Sequence, residues 1–145
     1  MKRSHSLAWL VLFGALSAAP PARHPRSIFV PEAPALSAPV EIRGTIKLEP
    51  FYGPPNYGET PESDRQEMAL ILKLDAPICI SSKPATPCKA SEETHEIQLI
   101  WPKALGAWPH EGDCVQVKGR LFRAYSGYHR RSLLLSVTET ALCSR

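Results

Sequence analysis

No stretch of this sequence carries a recognisable catalytic motif. There is no Gly-x-Ser-x-Gly, no Ser-x-x-Lys and no phosphate-cradling glycine loop, so nucleophilic and phosphoryl-transfer chemistry have no starting point. Metal-ligand spacings such as Cys-x-x-Cys, His-x-His and His-x-x-x-His are also missing, which removes the usual zinc frameworks; neither metal nor cofactor is expected. The longest apolar run, Leu7–Leu16, falls well short of the roughly 20 residues that span a bilayer. No cysteine precedes Cys79, so a lipid-anchoring cysteine at an early cleavage point is excluded.

Charge of one sign is scarce too. The chain has 17 Lys and Arg against 14 Asp and Glu. Its first 17 residues hold Lys2 and Arg3 and no acid, which leaves 15 bases against 14 acids downstream. A near-neutral body argues against a general polyanion binder, and nucleic acid is disfavoured as a partner.

The sequence does carry the marks of export. Lys2, Arg3 and His5 precede the apolar run, and small residues then offer cleavage at Ala15-x-Ser17 or Ser17-x-Ala19. Residues 1–19 are expected to be a signal peptide, giving a periplasmic or secreted product with no membrane span. Residues 20–39 are rich in Pro and Ala and are expected to be an extended linker. The folded unit is expected over 40–145.

Within it, hydrophobic residues alternate with period two in five places, each the pattern of a half-buried strand. Val40, Ile42, Gly44, Ile46 and Leu48 share one face of the first. Met68, Leu70, Leu72 and Leu74 alternate with Ala69, Ile71, Lys73 and Asp75 in the second. Ile97, Leu99 and Trp101 mark the third, Val115, Val117, Gly119 and Leu121 the fourth, and Leu133, Leu135 and Val137 the fifth. Between the third and fourth lies Pro102-Lys-Ala-Leu-Gly-Ala-Trp-Pro109, which fits a short helix or turn. Three strands, a short helix and two strands is the order of an OB-fold, so the expected class is all-β, a small five-stranded OB-like barrel. Gly44 and Gly119 sit inside strands of similar pattern, Glu41-Ile-Arg-Gly-Thr-Ile and Gln116-Val-Lys-Gly-Arg-Leu, and predict the bends a small barrel needs.

Four cysteines downstream of an export signal, Cys79, Cys88, Cys114 and Cys143, predict two disulfides with three possible connectivities. A hairpin of strands four and five, turning near Ser126–His129, would bring Cys114 to Cys143. Cys79 and Cys88 would then close the loop after strand two.

In OB-folds, ligands lie across the barrel face between the loop joining strands one and two and that joining strands four and five. Those loops here are Pro50–Gly58, continuing through acidic residues to Glu67, and Arg123–Arg131. Their candidate ligand residues are Phe51, Tyr52, Tyr57, Arg123, Tyr125, Tyr128, His129 and Arg130. The aromatic faces suit a sugar or base, while Lys118, Arg120, Arg123, Arg130 and Arg131 suit an anion. The competing explanation is that these side chains only pack to order the loops. The expected function is a non-catalytic exported binding module for a small ligand, a glycan or an envelope protein. An envelope assembly role, with the proline-rich segment as a tether, is the alternative. A hydrolase or nuclease using His129 as a base is a further one.

The segments Phe51-Tyr-Gly-Pro-Pro-Asn56, Leu72-Lys-Leu-Asp-Ala-Pro-Ile-Cys79, Ile97-Gln-Leu-Ile100, Val115-Gln-Val-Lys-Gly-Arg-Leu-Phe122 and Ser126-Gly-Tyr-His129 resemble a family of bacterial exported proteins classed as a domain of unknown function. The resemblance covers about Val40 to Thr138 and implies export and a bacterial source. It implies no activity. At the hairpin tip the family reads more like Gly-His-His, and Tyr128 departs from that pattern.

Overall fold

A computed structural model describes residues 25–81, 83 and 92–143. The expected signal peptide, residues 20–24 of the expected linker and Cys88 lie outside the described residues. Six strands make one sheet: β1 (Arg26–Phe29), β2 (Pro39–Tyr52), β3 (Gln66–Ser81), β4 (Glu93–Ile100), β5 (Cys114–Arg123) and β6 (Leu133–Leu142). Neighbours run β1-β3-β2-β5-β6-β4, and a further β3–β4 pairing closes the last five into a barrel. β4 lies parallel to β6, whereas β2 pairs antiparallel with both β3 and β5. This is the connectivity of an OB-fold, the class its strand order predicts.

Alternation builds the core. Val40, Ile42 and Ile46 of β2, Val115, Val117 and Leu121 of β5, and Leu133, Leu135 and Val137 of β6 all point inward, with Leu70, Leu72, Ile97 and Leu99 completing the cluster. Among the described residues there is no α-helix. The expected short helix is a 3-10 turn at Lys103–Leu105, because Pro102 opens it and Gly106, at φ 75°, turns the chain away after three residues. Leu105 and Trp101 still pack against the core from that end.

The segment expected to be a linker contributes structure. β1 pairs in parallel with the end of β3, from Arg26 opposite Ile78 to Phe29 opposite Ser81. Ile28 and Val30 enter the core, and Ser37 is buried, with its hydroxyl accepting the Leu121 N–H at 2.9 Å. Two apolar side chains at a sheet edge outweigh the surrounding prolines: Pro31 and Pro34 lie in the connection between β1 and β2, where no ladder is required, and Pro39 is the first residue of β2.

β3 also runs further than its alternation suggests, through Pro77 to Ser81. Proline is tolerated there because Asp75, Ala76 and Pro77 have no ladder partner on either side: β2 leaves β3 at Leu74, β1 joins at Ile78, and the register with β4 shifts between Lys73 and Ile78. Cys79 accordingly lies on a strand and is disulfide-bonded; its expected pairing with Cys88 falls outside the described residues. The Cys114–Cys143 bond is present, clasping the open end of the β5–β6 hairpin as its geometry predicts.

Candidate functional site

The β2–β3 loop and the β5–β6 loop meet at one end of the barrel. The first is organised by Asp64, a buried carboxylate whose oxygens accept the backbone N–H groups of Asn56 (2.8 Å) and Gly58 (2.7 Å). Between those two anchored amides sits Tyr57 at φ 53°, the left-handed region, where a bulky side chain is uncommon. The Tyr57 ring is thereby presented to the other loop. It lies against the Gly127 backbone, close enough that a Cβ there would stand 3.0 Å from the ring, and meets Tyr128 edge-to-face at 5.7 Å. Desolvation and the adjoining Tyr128 hydroxyl push the Tyr57 phenol upward.

The second loop is organised by His129. Its Nδ1 accepts backbone N–H groups from Tyr125 (2.9 Å) and Ser126 (3.2 Å), so the neutral ring carries its proton on Nε2. Burial lowers its pKa. Its basic neighbours point elsewhere: Arg130 reaches over the Phe51 ring at 3.9 Å and donates to the Tyr52 carbonyl at 3.0 Å, while Arg131 turns to two carboxylates. With Nδ1 occupied and Nε2 protonated, the neutral imidazole has no free lone pair to act as a general base.

The sheet face between the loops is not open. Across the strands, Lys47, Ile71, Gln98, Leu134 and Phe122 stand in one row on the outside of the barrel. All but Lys47 are buried, although none belongs to the inner core, and neighbouring Ala69 is buried with them. Residues 124–132 cover this row. The Gln98 carboxamide donates to the Tyr128 carbonyl at 3.0 Å and accepts the Arg130 N–H, while Tyr125 and His129 rest on Phe122 at 5.9 and 5.6 Å. Arg131 spans from Glu49 on β2 (2.7 Å) to Glu96 on β4 (2.8 Å), directly over Ile71. A ligand expected across the barrel face therefore meets the protein's own loop there.

That bridge has a pH signature. Hydrogen bonds from Arg131, then from Lys47, hold the Glu49 carboxyl down to about 2. Its contribution to stability is fully present above the ordinary 4.5 and is lost as pH falls through about 2. Replacing Arg131 with Ala should cost about 2 kcal/mol at neutral pH, between an exposed ion pair and a fully buried one because the groups are partly exposed. The difference from wild type should shrink on acidification through that window, as urea titrations at several pH values would show.

Of the residues picked out by sequence, Tyr57 meets Tyr128, Arg130 reaches Phe51 and Tyr52, and Tyr125 meets His129 edge-to-face at 4.8 Å. Arg123 stands apart, reaching Glu32 at 3.9 Å. The cations suited to an anion are spent within the fold. Lys118 pairs with Glu139 and Glu41, Arg131 with Glu49 and Glu96, and Arg120 donates to the Ser37 carbonyl. Sequence reasoning overlooked Asp64, Gln98 and the bridging role of Arg131. Gln98 and Arg131 act through partners in other segments, and Asp64 through amides six and eight residues back in its own loop; no residue spacing signals any of these.

Among the described residues no cluster of three or more His, Cys, Asp or Glu is placed to hold a metal ion, and no helix is long and apolar enough to cross a membrane. Compared with protein families, with curated proteins and with solved structures, the chain matches none of them. The fold and the loops themselves define an OB-like barrel, stapled by a disulfide, with a tyrosine-rich surface at one end.

Proposed function

We propose that this protein is an exported, non-catalytic binding module that takes an uncharged, hydroxyl-rich ligand, a glycan, on the tyrosines of its two apposed loops. One observation carries the reading. The chain has four tyrosines, and Tyr52, Tyr57, Tyr125 and Tyr128 all stand on these loops, between 37% and 62% exposed. Tyrosine offers a broad amphipathic face at small conformational cost, which suits it to recognition. Both loops are braced before any ligand arrives, by Asp64 in one and by His129 and Gln98 in the other, so little ordering entropy remains to oppose binding. The left-handed Tyr57 fits the same picture, since strain of this kind gathers at functional sites.

The ligand class follows from charge. A polyanion binds largely because free Lys and Arg displace its counterions, and here Lys118, Arg120, Arg123, Arg130 and Arg131 are engaged with carboxylates and carbonyls. Hydroxyl groups stacked on phenol rings need no such cations. Disulfide-bonded Cys79, Cys114 and Cys143 suit the oxidising compartment that export implies. The resemblance to bacterial exported proteins is consistent with this and remains part of the proposal.

An array of neutral and anionic oligosaccharides, probed with oxidised protein, tests the reading. Signal on neutral members should fall about tenfold to a hundredfold with Tyr125→Ala and Tyr128→Ala, since aromatic anchors dominate such surfaces. The thermal transition of both variants should be retained. Unfolding on either substitution would show that the tyrosines serve packing. Signal confined to anionic members would overturn the ligand class.

A further inference from the structure

The second loop is closed by a group that can be switched off. Ala124 N–H donates to the Ser132 carbonyl at 3.0 Å across its base, and His129 N–H donates to the Ser126 carbonyl at 3.1 Å. Inside that frame, the Tyr125 and Ser126 amides both rely on His129 Nδ1. Asp or Asn commonly fills this position in a turn, presenting an oxygen that keeps its lone pairs through mild acid. An imidazole nitrogen does not. Once Nδ1 takes a proton from solvent it becomes a third donor facing two donors, and both bonds are lost together.

We propose that His129 is a pH gate on the tyrosine surface: the neutral ring holds the turn at Tyr125 and Ser126 in the closed conformation, and its protonation releases that turn, changing how Tyr125 is presented beside Tyr128. The inference rests on the reading of those tyrosines as the ligand surface.

The surroundings leave the switch to this one group. On its own loop, Arg130 is engaged with Phe51 and Tyr52, and Arg131 with Glu49 and Glu96, while Arg123 at the end of β5 reaches Glu32. Tyr125 and Phe122 meet the ring as uncharged faces. From the packed strands, β4 contributes neutral Gln98, with Glu96 committed to Arg131 and Lys47; Lys47 of β2 is held by Glu49 and Glu96. The first loop brings Tyr57 to Tyr128 rather than to the imidazole, and Glu67, at the start of β3, acts on Tyr57.

Burial disfavours the charged ring, so its pKa lies below the ordinary 6.5. The closed loop is fully stabilised above 6.5 and loses this support as pH falls through the lowered value. Glu49 keeps its charge until about 2, so the Arg131 bridge outlasts the tip. Acid should thus release the turn at Tyr125 and Ser126 while Gln98 keeps its hold on Tyr128 and Arg130 and the base of the loop stays anchored.

Amide hydrogen exchange of the oxidised full mature chain, between about pH 7.5 and about pH 4.5, reads the gate without any ligand. After correction for intrinsic rates, protection of the Tyr125 and Ser126 amides should fall about tenfold or more with a single-proton transition, the loss of two hydrogen bonds. The imidazole nitrogen shifts of His129 should titrate with the same midpoint. In His129→Asn the side-chain oxygen stands where Nδ1 was and takes no proton in this range, so protection should be flat. Protection unchanged in wild type, or an imidazole midpoint that differs from that of the amides, would overturn the gate whether or not the variant folds. So would the same transition in the variant. None of these outcomes touches the ligand reading, which the tyrosine substitutions decide separately.

Discussion

A single methyl group added at Gly119 or at Gly44 should prevent this barrel from closing. An alanine Cβ at Gly119 would lie 2.1 Å from the Ser136 carbonyl oxygen, and one at Gly44 would lie 2.2 Å from that of Lys73. Both obstacles are backbone atoms inside ladders, so neither can rotate aside. Each glycine marks a place where the sheet must bend. At Gly119 the β5–β6 register slips, pairing Lys118 with Glu139 but Gly119 with Val137, which squeezes Thr138 out of the ladder. Gly44 is where β2 parts from β3 and continues along β5 alone. Overpacking against fixed backbone in a small barrel should cost each variant about 3 kcal/mol or more, as urea unfolding would measure. A loss below about 1 kcal/mol at either position would mean that the close approach is not real.

The second large effect belongs to the Cys114–Cys143 bond. It joins residues 29 apart in sequence at the open end of the β5–β6 hairpin, where the Cys143 N–H also donates to the Cys114 carbonyl at 2.9 Å. Restriction of the unfolded chain by a loop of that length stabilises the native state by about 3.5 kcal/mol in the chain-entropy account. Since a domain of this size has about 5–15 kcal/mol in total, the double replacement Cys114→Ala with Cys143→Ala should bring unfolding close to ordinary temperatures. The tyrosine loops lie at the far end of the hairpin. The folded fraction should therefore still show the loop contacts, visible as unchanged amide shifts for Tyr57 and Tyr128. Shifts throughout those loops would instead show that the two ends of the barrel are coupled.

Much of the fold is legible in the sequence because period-two alternation encodes one buried face per strand. The five barrel strands, the hairpin disulfide and the two bend glycines follow from that pattern and from simple geometry. What the pattern hides is anything settled by contacts distant in sequence. Arg26–Phe29 is too short to stand out among prolines, and only its register against β3 makes it a strand. Ala69, Ile71 and Leu134 read as outward positions, which they are. Their burial comes from the loop 124–132 folding over them, a coverage visible only once Gln98 and Arg131 are seen to reach across.

The same limit shaped the reading of the site. The clustering of tyrosines in two loops is plain in the sequence, but the availability of its cations is not. Lys118, Arg123 and Arg131 read as a basic strip until the fold brings Glu139, Glu32 and Glu49 beside them. His129 stands out as a candidate base by composition alone, and the two amides that occupy its Nδ1 turn it into a structural acceptor.

The most direct test of the ligand surface is a set of two-dimensional amide NMR spectra of the oxidised chain. It should begin at Pro20 rather than at the start of β2, because Ile28 and Val30 belong to the core. Spectra would be recorded alone, with a neutral N-acetylglucosamine oligomer, with an anionic galacturonate oligomer and with single-stranded oligonucleotide. Shifts confined to residues 51–58 and 124–130, produced by the neutral oligomer and insensitive to salt, are the expected result. Shifts produced only by the oligonucleotide, and weakening steeply with salt, would keep the loops as a site but contradict the ligand class. A spectrum in which those residues are unmoved by every probe would contradict the central claim.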